Sequence, residues 1–147
     1  MFSIVALQES DLADMYRQVQ RSRDNLVELG WIAQADWPLF YRHYHTIINQ
    51  KKLDIFAVRV DSEYAGAVEV GDCGDHYQIG YWLGADYCGQ GLATEAVSSV
   101  LGRLDERPVT ADTLKTNQAS ARVLEKNGFI LERTSDTHCF YRLTRDK

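Results

Sequence analysis

Between residues 77 and 104 the spacing of apolar side chains changes abruptly, and two glycines mark the change. A β segment runs from Tyr77 to Leu83, ending in Ile79-Gly80-Tyr81-Trp82-Leu83; past a short loop, Ala93, Val97, Val100, Leu101 and Leu104 fall on one helical stripe. Gly89 and Gly91 stand between the two patterns, so the order is strand, glycine turn, helix N-terminus. A helix begun in this way offers backbone N–H groups that have no partner inside the helix, at the positive end of its dipole. Glycines allow close backbone approach and Thr94 adds a hydroxyl, so the segment can cradle a diphosphate without a metal or a basic residue. A purely structural turn is the other reading of the same residues. The segment is neither a dinucleotide-binding fingerprint, which would need glycine where Thr94 stands, nor a P-loop, whose GK[ST] ending it lacks.

The flanking segments alternate between strand and helix. Phe2 to Leu7 reads as a short strand, and Ser10 as the N-cap of a helix carrying Leu12, Met15, Tyr16 and Val19 on one face. Asp36, with Pro38 in the first turn, opens a second helix that buries Phe40, Tyr44, Ile47 and Ile48 and ends near Lys51. Ile55 to Val60, Tyr64 to Val70 and Tyr77 to Leu83, separated by Asp61-Ser62 and by Gly71 to Gly74, predict an antiparallel meander. Pro108 to Leu114 reads as a strand, Asn117 to Asn127 as a helix stopped by Gly128, and Phe129 to Thr134 and Cys139 to Leu143 as the last strands. With no repeat and no linker, residues 1–147 are expected to form a single α/β (α+β) domain, a mixed, mostly antiparallel sheet of six to seven strands with about four helices.

The net charge of -5 argues against a broad basic surface that would neutralise nucleic-acid phosphates, and fits a cationic or neutral partner better. The N-terminus has no signal-like apolar stretch, and no apolar run approaches the roughly 18 residues of a membrane span, so a cytoplasmic protein without membrane contact is expected. Cys73, Cys88 and Cys139 form no CxxC or Cys/His ligand spacing and read as free thiols, with no metal expected.

Two segments together carry a family resemblance. Cys88-Gly89-Gln90-Gly91-Leu92-Ala93, and the run from Asn117 to Phe129 with its Asn-initiated helix closed by Gly-Phe, resemble the GNAT superfamily of acyl-CoA N-acetyltransferases. The family's cofactor motif is Q/R-x-x-G-x-G/A, and Cys88 stands at its Gln/Arg position; that departure removes a side chain but leaves the backbone N–H groups. Resemblance covers most of the chain and is weakest from Tyr16 to Lys51, where family members form the acceptor pocket. IGYWL, GQGLATEA, SARVLEKNGFILE and the aromatic N-terminal third with Trp31 and Trp37 are most similar to the ribosomal-protein N-terminal acetyltransferase branch.

The resemblance implies a GNAT fold whose splayed strands form an acyl-CoA cleft. It implies acetyl-CoA as co-substrate and a primary amine of a protein N-terminus or small molecule as acceptor, attacked directly in a ternary complex. Cys88, Gly89, Gln90, Gly91, Leu92, Ala93 and Thr94 would then hold the pyrophosphate, and the backbone of Tyr81, Trp82 and Leu83 the pantetheine and thioester. Asn117, an N-cap by its position, would also contact pantetheine, and Lys126 joins the cofactor contacts. Many members place a Tyr acid where this chain has Leu124; in the ribosomal-protein branch a Ser falls on Ser120, which becomes the general acid, a cleft-wall serine being the alternative. The family's strand Glu falls on Gln78, so the nearest base is Glu69, placed by strand alternation with Ala65 and Ala67 and opposite Val68 and Val70. A solvated strand carboxylate, or a water relay with no single base, is the alternative. His76 and His138 fall at strand edges or turns and read as surface residues. The missing Tyr and Glu, with Cys88, keep open a non-catalytic acyl-CoA-binding module, and monomer and homodimer both remain open.

Overall fold

The structure, a computed structural model, describes residues 2–51 and 53–145. Seven strands form one sheet: β1 (Phe2–Ala6), β2 (Asp54–Val60), β3 (Glu63–Asp72), β4 (Tyr77–Leu83), β5 (Val109–Leu114), β6 (Ile130–Thr134) and β7 (His138–Leu143), in the order β1-β2-β3-β4-β5-β7-β6. Every neighbouring pair is antiparallel except β4 and β5. The helices are α1 (Leu12–Arg21), α2 (Trp37–Gln50), α3 (Leu92–Leu101) and α4 (Gln118–Lys126). Among the described residues no helix is long and apolar enough to cross a membrane.

Strand alternation divides the core into two layers. Val58, Val68, Val70, Ile79, Val109, Ala111 and Tyr141 face α3 and α4 and pack with Val97, Val100 and Leu124. Ile55, Ala57, Ala67 and Trp82 face α1 and α2 and pack with Leu12, Met15, Val19, Phe40 and Tyr44. Each such side chain withdrawn from water contributes roughly 1.5–3 kcal/mol, which outweighs the modest intrinsic stability of helices of about 10 residues. Local signals set the helix ends: Asp36 caps α2 by accepting from Leu39 N at 3.2 Å, and Gly128, at φ +89°, follows α4 in the left-handed region.

Three expectations are corrected. Ser10 does not cap α1; a 3-10 turn, Glu9–Asp11, precedes it, and Asp11 accepts from Gln8 N at 2.9 Å and from Arg59 at 2.7 Å. A carboxylate one residue later satisfies both the chain entry and a guanidinium, which the Ser10 hydroxyl could not. The helix read through to Leu104 stops at Leu101, and Arg103 N and Leu104 N bond three residues back in a tightening turn. Finally, the β2–β3 register slips, pairing Val58 with Gly66 and Arg59 with Tyr64. Ala65 is the extra residue, so its side chain joins Val68 and Val70 and leaves Ala67 and Glu69 on the opposite face. Beside the bulge, a Cβ on Gly66 would lie 2.1 Å from Trp82 O, so only glycine lets β3 approach β4 there.

Candidate functional site

β4 and β5 pair only at Tyr77–Val109 and Gln78–Thr110, after which the two strands diverge. Their closed end is clamped: Arg107 lies 4.2 Å over the Tyr77 ring and donates to Asp72 and Asp105, each at 2.9 Å. Tyr77 N donates to Pro108 O at 2.9 Å, so this residue's backbone points toward β5. By alternation Ile79, Tyr81 and Leu83 do the same, and Trp82 points toward β3. The structure thus separates the three strand residues singled out from sequence. Tyr81 and Leu83 direct backbone groups to the cleft, whereas the Trp82 side chain is buried beneath α1 and α2.

The open end of the cleft leads to α3. Gly89 and Gly91 have φ of +78° and +77°, and Gly91 occupies the N-cap position of α3 with no capping side chain. Neither glycine has an atom within 4 Å of where a Cβ would be, so conformation rather than space requires them. Glu95 N makes the helix's first bond, to Gly91 O at 3.2 Å, so the N–H groups of Leu92, Ala93 and Thr94 precede the helical ladder. These are the N–H groups on which the sequence reading places an anion. The approach to it is fixed from three sides. Ser22 Oγ accepts from Ala85 N at 2.8 Å, Arg21 pairs with Asp86 at 2.6 Å, and Gln90 donates to Asp86 O at 3.2 Å. Cys88 Sγ lies 3.5 Å from Gly84 O, and desolvation pushes its thiol up, so the sulfur buttresses the loop in its protonated form.

α4 spans the far wall. Asn117 caps it by accepting from Ser120 N at 3.1 Å. At its other end Asn127 Nδ2 donates to Thr94 O at 3.3 Å, which ties the C-terminal end of α4 to the first turn of α3, and the neighbouring Lys126 is exposed. Along a helix rising 1.5 Å per residue, Ser120 lies about 9 Å and Asn117 about 13 Å from Lys126. Leu124 is fully buried in the core and cannot donate a proton. A phenol arrives instead from β4: Tyr81 OH lies 2.8 Å from Ser120 Oγ and donates to Ser120 O at 2.9 Å. Sequence reasoning missed this side-chain role, as it did those of Ser22 and Asp86.

Glu69 lies on the other face of the sheet, opposite Gly80 on β4. Its carboxyl makes no hydrogen bond or ion pair among the described residues, and burial raises its pKa. It in turn helps raise the phenol of buried Tyr44, after desolvation, to a value above the ordinary tyrosine range. A Cβ on Gly80 would meet nothing within 4 Å, so there is open space beside the carboxyl, and Gln78 shares this face by alternation. Two nearly buried polar atoms of the same layer, Tyr64 OH and Trp82 Nε1, have no hydrogen-bond partner among the described residues. His76 bonds Asp75 at 2.6 Å in the turn before β4, and His138, the first residue of β7, lies beside Thr137. A separate depression of about 260 Å³ lined by Trp31, Leu39, Arg42, His43, Thr46 and Ile47 shares no residue with the cleft.

Residues 2–130 match the family model of the acetyltransferase (GNAT) domain. No curated protein sequence matches the chain. Among solved structures, RimL, a ribosomal alpha-N-protein acetyltransferase in complex with coenzyme A, is similar with a TM-score of 0.86 at 20% identity, over 97% of this chain and 93% of that one. A spermidine N-acetyltransferase from Vibrio cholerae, in complex with coenzyme A and spermine, gives a TM-score of 0.81 at 13% identity, over 98% and 95% of the chains. The aminoglycoside acetyltransferase AAC(6')-Ib, in complex with coenzyme A, gives 0.79 at 22% identity, over 99% and 95%. At these identities the likeness is one of fold.

Proposed function

Since the chain belongs to the GNAT acetyltransferase domain family, we propose that it transfers the acetyl group of acetyl-CoA to a primary amine of a protein N-terminus or a small molecule, by direct attack in a ternary complex. The observation that carries this reading is the parting of β4 from β5 beside the uncapped N-terminus of α3. The parted strands leave a slot for an extended arm and a thioester. The α3 N–H groups and Lys126 supply positive potential for phosphates in a chain of net charge -5, where it must be local. Proteins of the same fold accept the range of amines named, from a ribosomal protein to spermine.

The residues divide the work by face. The Tyr81 and Leu83 backbone holds the thioester, with an N–H toward its carbonyl oxygen; such a preorganised donor typically contributes about 10²–10³-fold. Glu69 takes a proton from the amine, entering from the α1–α2 side, directly or through water. Its raised pKa makes it a stronger base than an ordinary carboxylate. Ser120 delivers a proton to the departing sulfur on the α3–α4 side. Holding amine and thioester together contributes several kcal/mol more, up to about 7–11 in well-oriented systems.

The test is titration calorimetry with acetyl-CoA, followed by mass spectrometry of peptides with free N-termini, polyamines and aminoglycosides incubated with protein and acetyl-CoA. Binding with acetylation of one amine class is expected. Binding without any acetylated product would make the chain an acyl-CoA-binding module, and no binding would refute the placement of the cleft.

A further inference from the structure

We propose that Tyr81 is the proton reservoir behind Ser120, a relay residue that makes a serine able to protonate a thiolate; this rests on the acetyl-transfer reading above. An aliphatic hydroxyl is about as reluctant an acid as water, whereas thiols ordinarily ionise near 8.5 and phenols near 10. Ser120 alone would therefore have to become a strongly basic alkoxide in order to protonate the leaving sulfur. A phenol within hydrogen-bond distance removes that barrier, because its acidity is close to that of the thiol it must ultimately protonate.

The structure supplies the contact. Tyr81 OH lies 2.8 Å from Ser120 Oγ and 2.9 Å from Ser120 O, so the phenol proton has two acceptors on one residue. When Tyr81 donates to the carbonyl, the serine hydroxyl donates back to the phenol. When Tyr81 donates to Oγ, the serine proton is released toward the cleft. In that second arrangement the Ser120 Oγ–H bond breaks as a new S–H bond forms on the departing thiolate. The Tyr81 O–H bond then breaks as its proton moves to Ser120 Oγ. Charge ends on the Tyr81 phenolate, which recovers a proton from water after product leaves.

The rest of the neighbourhood fixes this geometry. Asn117 accepts from Ser120 N at 3.1 Å and holds the first turn of α4. Tyr81 packs its ring against the core under α3 and α4, while Leu124, where the phenol of many relatives stands, is fully buried. The phenol thus meets α4 at its first turn, coming from the strand instead of from the helix.

The experiment compares wild type, Tyr81→Phe, Ser120→Ala and the double variant in single-turnover acetyl transfer, so that product release does not mask the chemical step. Tyr81→Phe keeps the ring and its packing, so its melting temperature and acetyl-CoA affinity should match wild type. Its rate constant should fall about 10²-fold, the lower end of a general-acid contribution, with KM unchanged. The double variant should be no slower than the slower single variant, because both residues serve one proton path. A Tyr81→Phe rate equal to wild type would overturn the relay, and tighter acetyl-CoA binding in that variant would identify the contact instead as a latch. A double variant with multiplied losses would also overturn it. If wild type itself forms no acetylated amine, the acetyl-transfer reading fails first; product formation with an unaffected Tyr81→Phe fails the relay alone.

Discussion

Replacing Gly91 by aspartate separates charge from conformation at the α3 N-terminus. Gly91 sits at φ +77° immediately before the free N–H groups of Leu92, Ala93 and Thr94. Any L-residue there meets strain of about 1–2 kcal/mol, which for a chain of this size lowers Tm by roughly 2–4 °C per kcal/mol. Gly91→Ala should show that loss and keep most of its acetyl-CoA affinity. Aspartate tolerates the left-handed region better than alanine, and its carboxylate gains from the helix dipole, so Gly91→Asp should melt no lower than Gly91→Ala. Its affinity should nevertheless collapse. A carboxylate about 5 Å from one phosphate charge at an effective dielectric near 20 costs about 3 kcal/mol, a rise of just over two decades in Kd. Calorimetry with acetyl-CoA and thermal melts on the three proteins test this together. Equal loss of affinity in the two variants would show that loop shape rather than anion recognition governs binding, and an unchanged Kd for Gly91→Asp would remove the phosphates from α3.

Glu69→Gln should lower kcat by about 10² or more yet raise the melting temperature near pH 7. The sign follows from the raised folded pKa: the protonated carboxyl is stabilising below the unfolded value of about 4.3, and that contribution is lost as pH rises through the folded pKa. Melts of wild type and variant should therefore converge at low pH and separate as pH rises, and convergence at all pH values would contradict a desolvated carboxyl. For the same reason the acidic limb of kcat/KM in wild type should lie above the ordinary glutamate range and vanish in Glu69→Gln. Leu124→Ala, at a fully buried site, should cost about 2–5 kcal/mol in urea unfolding. Gly66→Ala should cost at least about 1–3 kcal/mol in the same assay, because its Cβ would lie 2.1 Å from Trp82 O.

The parts of the fold visible in the sequence were those with local signals. The meander, the α3 start at Gly91 and the α4 stop at Gly128 each rest on a change of apolar period or a positive φ that a single residue type announces. Ser10 failed as a cap because Asp11 has a distant partner, Arg59, 48 residues away. The bulge at Ala65 left no trace because Tyr64-Ala65-Gly66-Ala67 offers small side chains to both faces, so the slip changes no polarity pattern. Of the site, the glycine loop before α3 was legible because two glycines at positive φ and a change of apolar period announce it locally. The Tyr81–Ser120 contact joins residues 39 apart and exists only because β4 and α4 meet across the cleft.

Under the acetyl-transfer reading proposed above, the alternation of faces along β4 keeps the proposed base and acid on opposite sides of the sheet. Glu69 stands opposite Gly80, and the next residue along β4 is Tyr81, whose side chain leaves from the other face. One step along a single strand therefore passes from the open, carboxyl-bearing side to the phenol and serine, without the two ends of the proton path neutralising each other. A fully paired β5 would seal the β4 edge on which both depend. Pairing with β5 is limited to the first two positions, beside the Arg107–Tyr77 contact, so that Tyr81 lies in the parted region while β4 keeps its ladder with the strand that carries Glu69. The unpaired carboxylate then has a physical rationale. Desolvation with no compensating cation among the described residues lowers stability, a cost to the fold that the proposed role as base would account for.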